Sequence, residues 1–193
     1  MIKRIANYTA FYVSEPFSQS NLGAAATPDF IYYNQLCAWK GKDRSFPFID
    51  AHKSTYNVRD DSSWETLKSR LHERLRGSKN IVLFLSKNTK NSRALREEID
   101  YGINTLGLPI IVIYPDFKDK EYIANNTGIR FNIKKLWENL PVFNNNMNKV
   151  PTLHVPYNKE LIREALLESN FMAPFMITKA GEYFFSNFIK DNI

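Results

Sequence analysis

The stretch NIVLFLSKNTKNSRALREEIDYGINTLGLPIIVIYP, residues 80–115, decides the fold. Asn80 to Leu85 is a nearly continuous apolar run. A strand buried on both faces reads this way, because neither side of its pleat needs a polar residue. A helix follows from about Asn91 to Thr105, with Leu95, Ile99, Ile103 and Leu106 on one side and Gly107 as its stop. Pro109 to Pro115 (PIIVIYP) is a second buried strand. Two buried strands joined by a helical crossover form a parallel unit, since a tight hairpin can only join antiparallel strands.

The pattern extends upstream. Ser62-Ser63-Trp64-Glu65 has the capping-box spacing of serine and glutamate, and Trp64, Leu67, Leu71 and Leu75 recur at helical intervals until Gly77. Tyr8 to Val13 (YTAFYV) reads as a strand that ends at Ser14-Glu15-Pro16. After the small, polar segment SQSNLGAAATPDF, a helix is expected from Thr27 or Pro28, carrying Phe30, Ile31, Leu36 and Trp39. Ser45 to Ile49 is a short strand that Pro47 confines to an edge. Downstream, Ile129–Leu140 reads as a helix, Asn144–Asn146 as a loop tip, Thr152–Val155 as a strand and Lys159–Glu168 as a helix. Ala173–Ile189 is aromatic-rich, with Phe175, Tyr183, Phe184, Phe185 and Phe188. Strands alternating with helices predict an α/β fold, a doubly wound parallel sheet of flavodoxin-like type. The expected strand order is 2-1-3-4-5, five strands with helices on both faces. Residues 1–158 are expected to form the domain, and residues 159–193 a C-terminal helical extension packed on it.

Composition narrows the function classes. The chain has 193 residues, 44% hydrophobic, 14% aromatic and 24% charged, enough for one ordinary globular domain. A single cysteine, Cys37, excludes a disulfide framework or a multi-cysteine zinc site. It is expected as a core thiol in a reducing compartment. The net charge is +6 and the pI about 9.3, a surplus too small to name an anionic partner. The aromatics lack an RNA-binding sheet signature, so nucleic acid is a poor partner. No apolar run reaches the ~20 residues of a membrane span, and no leader pattern is evident, so a cytoplasmic protein is expected. His52, His72 and His154 have no metal-ligand spacing, and no metal site is expected. His72 is expected on a helix surface and His154 packed within its strand.

In an open α/β sheet, ligands bind beyond the carboxyl ends of the strands at the switch point. That crevice is expected to be lined by Ser14, Glu15 and Ser86, with the loop Ser86–Asn91 and the first turns of the next helix. On that helix, with Leu95 at zero, Ile99 and Ile103 fall near about +40° and +80°, Glu98 near about −60° and Glu97 near about −160°. Glu98 therefore sits on the shoulder of the buried stripe, where a carboxyl has a raised pKa and a fixed rotamer. Glu97 is expected in solvent. The alternative for Glu98 is a surface acid paired with Arg93 or Arg96. The segment Asn57-Val58-Arg59-Asp60-Asp61 is equally suited to hold a sugar or phosphate and to be the polar approach to the Ser62 cap. No G-x-G-x-x-G or G-x-x-x-x-G-K cradle is present, so a nucleotide would have to be held differently.

The segments NIVLFLS, KNTKNSRALREEIDYGI and LPIIVIYP resemble a Toll/interleukin-1 receptor (TIR) domain. That family carries a serine, commonly Trp-Cys, and a glutamate six residues after the serine. Ser92 and Glu98 keep this spacing, while Ala94 and Leu95 stand at the Trp and Cys positions. The run from NVRDDSSWETL to PIIVIYP is similar, more closely, to the ThsB proteins of the bacterial Thoeris anti-phage system. The resemblance implies an enzyme that needs no cofactor and uses NAD as its substrate after a phage trigger. It would cleave the nicotinamide–ribose bond and make a cyclic ADP-ribose isomer, a diffusible signal that activates a partner effector, ThsA. Glu98 carries over as the catalytic residue. Tyr12, Ser14 and Ser86 carry over by location as substrate-binding residues, with Arg59 and Asp60 beside them. Whether the chain forms a homo-oligomer is left open. Two other classes remain open at this stage. One is a non-catalytic TIR-like scaffold or sensor acting by self-association; the other is a nucleoside deoxyribosyltransferase-like enzyme.

Overall fold

A computed structural model describes residues 4–12, 29–52, 63–173 and 178–184. The elements, in order, are β1 (Ala6–Ala10), α1 (Phe30–Lys42), α2 (Trp64–Arg76), β2 (Ser78–Phe84) and α3 (Arg93–Asp100). A π-helical turn, Tyr101–Thr105, extends α3. Then come β3 (Ile110–Tyr114), α4 (Lys120–Ile123), the short hairpin β4 (Ala124–Asn125) and β5 (Gly128–Ile129), α5 (Phe131–Trp137) and α6 (Pro141–Asn146). The chain continues through β6 (Pro151–Pro156), α7 (Lys159–Leu167) and β7 (Gly181–Phe184).

The main sheet has the order β1-β2-β3-β6-β7, and every pairing is parallel. Period-two alternation divides its side chains between two cores. Tyr8, Ile81, Leu83, Ile110 and Val112 face a layer made by α2, α3, α5 and α6. Val82, Phe84, Ile111, Ile113, Leu153 and Val155 face α1 and α7. Because both faces are covered, β2 and β3 are apolar nearly throughout, the property that made residues 80–115 legible.

The central strands keep the expected neighbours, but both edges differ from expectation. Ser45–Ile49 is not a strand; the residue after it, Asp50, forms one parallel bridge with Asn7. Phe46 and Phe48 are buried in the α1/α7 core, and Pro47 has no N–H for a ladder. The Asn7 side chain replaces part of that ladder by accepting from the Ile49 N–H at 2.8 Å. Its amide also donates to Asn80 Oδ1 at 2.8 Å, and Asn80 donates to the Phe171 carbonyl at 3.0 Å. The fifth strand is instead β7, on the far edge beside β6. The extension expected to be helical from residue 159 opens with α7 and a 3-10 turn, Ser169–Phe171, and departs from expectation at β7; Phe175, Phe185 and Phe188 lie outside the described residues.

Several boundaries shift for local reasons. β1 ends at Ala10 rather than Val13, and Phe11 stacks on Tyr33 of α1 with ring centroids 5.5 Å apart. The cap of α2 is Ser63, whose hydroxyl accepts from the Thr66 N–H at 3.3 Å. Ser62 lies outside the described residues, as do Thr27, Pro28 and Val13. Asn144–Asn146 is the end of α6, not a loop tip: Pro141 opens that helix and Phe143 anchors it in the core. The helix expected over Ile129–Leu140 is present as α5 but shorter at both ends, since Ile129 pairs in β5 and the helix stops at Trp137.

Candidate active site

Glu98 lies in the second turn of α3, and the loop before that helix is tied down from three sides. Ser92 caps α3, accepting from the Leu95 N–H at 3.3 Å. Ser86, just past β2, donates its hydroxyl to Asp29 at 2.8 Å, and Thr89 donates to the other Asp29 oxygen at 3.0 Å. The Lys87 N–H donates to Asp116, beyond β3, at 2.9 Å. Burial raises the Asp29 carboxyl pKa although the two hydroxyls oppose the shift. The start of α3 is therefore fixed by loops at the carboxyl ends of β2 and β3 and by the residue that precedes α1.

The Glu98 residue keeps a little surface, while burial pushes its carboxyl up to about 8 against Tyr8 and Arg74, which favour the charged form. Tyr8 comes from the sheet below and is itself fully buried. Its hydroxyl completes no hydrogen bond of good geometry, yet it is close enough to Glu98 to act on it. Arg74 comes from α2 and acts through charge rather than through a hydrogen bond. Neither Arg93 nor Arg96 holds this carboxyl: the Arg93 guanidinium lies over the Trp64 ring, 4.0 Å from its centroid. A partly screened carboxyl of raised pKa, set between a phenol and a guanidinium, is suited to meet positive charge on a ligand.

Glu97 is not free in solvent as expected. Its carboxylate bonds His72 at 2.8 Å and Lys68 at 3.1 Å, both on α2. Partial burial pushes its pKa up, but these two partners win and hold it below the usual carboxylate range. His72 is likewise no plain surface residue, since its ring stacks on Tyr101 at 3.5 Å. The two adjacent acids thus divide the work: Glu97 ties α3 to α2, and Glu98 turns inward over β1.

The other expected site residues are placed unevenly. Ser86 is at the carboxyl end of β2, but its buried hydroxyl is committed to Asp29 and to the Asn88 N–H. Tyr12 follows β1 and packs, partly buried, against the α2/α3 core. Ser14, Glu15, Arg59 and Asp60 lie outside the described residues. Cys37 is half-buried on α1 rather than a full core residue. His154 is a packed histidine: its Nδ1 lies 2.7 Å from the Tyr114 hydroxyl oxygen, and burial lowers its pKa to about 3. Among the described residues, no three His, Cys, Asp or Glu side chains are placed to hold a metal ion. No helix among them is long and apolar enough to cross a membrane.

Sequence reasoning missed Tyr8 and Arg74 as groups that act on the candidate carboxyl, and His52, which touches both of them. Arg74 carried a usable signal, because it follows Leu71 by three residues as Glu98 follows Leu95. It therefore sits on the same shoulder of its own buried stripe. Nothing in the local sequence marks His52.

The family model described as "Thoeris protein ThsB, TIR-like domain" matches residues 8–120, a span from β1 through the loop after β3 that includes α3 and Glu98. The chain belongs to this TIR-like family of the Thoeris anti-phage defence system.

Proposed function

We propose that this protein is an NAD-consuming enzyme that cleaves the nicotinamide–ribose bond and closes the ADP-ribose remainder into a cyclic signal for a ThsA-type effector. The observation that carries the reading is the Glu98 carboxyl, screened from water between β1, α2 and α3 with its pKa near neutrality. The nicotinamide of NAD is a cationic leaving group, so no metal or general acid has to expel it. The C–N electron pair departs with the ring and neutralises it, leaving positive charge on the ribosyl carbon and ring oxygen. A carboxylate held against the adjacent ribose stabilises that charge. The cationic ring also favours the ionised form of Glu98, so binding of the NAD substrate charges the group that acts on it. A hydroxyl of the same ADP-ribose then attacks and loses its proton, closing the ring. Water attacking instead gives hydrolysis, and exclusion of water decides between the two.

The test is product analysis by chromatography and mass spectrometry. Purified protein, with and without lysate from phage-infected cells, is incubated with NAD, with reduced NADH and with deoxynucleosides. The expected result is free nicotinamide and a cyclic ADP-ribose isomer from NAD alone. Base exchange on deoxynucleosides would point to a deoxyribosyltransferase, and no conversion under either condition would favour a scaffold.

A further inference from the structure

A chain of contacts runs from the β1 backbone towards Glu98 through two side chains. The His52 Nε2 lies 3.0 Å from the Thr9 carbonyl oxygen, on the outer edge of β1. The His52 Nδ1 lies 3.2 Å from Arg74 Nη1. A carbonyl oxygen only accepts and a guanidinium only donates. The ring is therefore neutral, with its proton on Nε2, and its Nδ1 accepts from Arg74. Packing holds the ring in that attitude: it lies 5.0 Å from the Tyr8 ring and 5.7 Å from that of Tyr33. The Asp50 carboxylate accepts from the His52 backbone N–H at 2.9 Å and from the Tyr33 hydroxyl at 2.7 Å.

We propose that Arg74 is a positioning residue for Glu98, and that His52, in its neutral form, is the clamp that holds the Arg74 guanidinium beside Tyr8, in the cluster over which Glu98 lies. The proposal deepens the NAD-cleaving reading and rests on it for its catalytic meaning. The groups facing Glu98 can be named from each element. β1 supplies the Tyr8 phenol, which favours the carboxylate by position but carries no charge. α2 supplies Arg74, while its Lys68 and His72 are engaged by Glu97 on the neighbouring position of α3. Arg93 of α3 is stacked on Trp64. Behind Arg74 stand His52 and, beyond it, the Asp50 carboxylate. Of these, Arg74 is the cation whose charge acts on Glu98. Burial and the Arg74 charge both lower the His52 pKa, which keeps its Nδ1 open as an acceptor near neutrality.

Two readouts separate this role from a structural one. The first needs no turnover: the full-length protein is labelled with ¹³Cδ-glutamate, Glu98→Gln assigns the resonance, and the Glu98 titration midpoint is followed by NMR. Arg74→Met should raise that midpoint by about one pH unit or more, Arg74→Lys by less than about half a unit, and His52→Phe by an intermediate amount. The second is the pH dependence of kcat/KM for NAD. Its acid limb should shift in the same order, with the alkaline plateau kept within about threefold. An unmoved Glu98 midpoint in Arg74→Met would overturn the proposal, as would a rate lost equally at every pH. If Arg74→Met fails to fold, Arg74→Lys and His52→Phe decide: no shift in His52→Phe beyond that of Arg74→Lys removes the clamp. Absence of NAD cleavage in the parent protein with phage lysate supplied would refute the enzymatic reading, whereas the NMR shifts would still report the coupling.

Discussion

Burial of the Glu98 carboxyl gives the protein a pH dependence opposite to that of a salt-bridged acid. Its folded-state pKa is about 8, against an ordinary value of 4.5. Between these values the folded state holds more protons than the unfolded chain, so stability falls as pH rises from about 4.5 to about 8. By pH 7 the loss is on the order of 3 kcal/mol. Glu98→Gln removes this cost. The variant should be more stable than the parent at pH 7 and nearly equal to it at pH 4, measured by urea unfolding at the two pH values; a destabilised variant at pH 7 would show that the carboxylate serves the fold. Glu97→Gln should behave differently. It weakens the tie to Lys68 and His72 and should cost about 1 kcal/mol, as for a partly buried ion pair still open to solvent.

At the scale of elements, the π-helical turn after α3 packs tightly on β2. A Cβ on Gly102 would overlap Cδ1 of Ile81 and come within 3.7 Å of Leu75 Cδ2. Ile81 is fully buried, so the space cannot be recovered cheaply. Gly102→Ala should destabilise by about 1–3 kcal/mol. Ile81→Val removes the offending methyl, so the double variant should recover part of that loss, giving a clear coupling in a double-mutant cycle. Additive losses would mean that the turn does not press on the strand. The helix bearing Glu98 was legible because Leu95, Ile99 and Ile103 repeat at a helical period and Gly107, at φ 61°, closes it. The break into an α-helix and a π-turn was not: the turn packs at Gly102 against Ile81 and Leu75, which are distant in sequence. The inward turn of Glu98 followed from its angle alone. The pairing of Glu97 did not, because that depends on which face of α2 lies opposite.

For the molecule as a whole, the sheet's centre was readable and its edges were not. Strands β2 and β3, covered on both sides, must be apolar, so composition alone marks them. An edge strand is free of that constraint, and Ser45–Ile49 and β7 reverse expectation for this reason: one has its ladder replaced by the Asn7 side chain, the other is short and only half-buried. The tail nevertheless holds the far edge. The Gly181 N–H donates to the Val150 carbonyl at 3.2 Å, and the Tyr183 ring meets Phe171 at 5.6 Å. Truncation after Ala173 should expose the outer edge of β6 and lower the Tm by about 5 °C or more. An unchanged Tm would mean that β7 adds no stability.

The most direct test of the central claim compares the initial rate of nicotinamide release from NAD by the parent protein, Glu98→Gln and Glu97→Gln, with phage lysate supplied if the isolated protein is silent. Glu98→Gln keeps the shape of the side chain and removes the charge that the ribosyl cation needs. Its rate should fall by about 100-fold or more, on the order of 3 kcal/mol. Glu97→Gln, whose carboxylate faces α2, should stay within about threefold of the parent. Equal losses in the two variants, or full activity in Glu98→Gln, would contradict the assignment of Glu98 as the catalytic carboxylate.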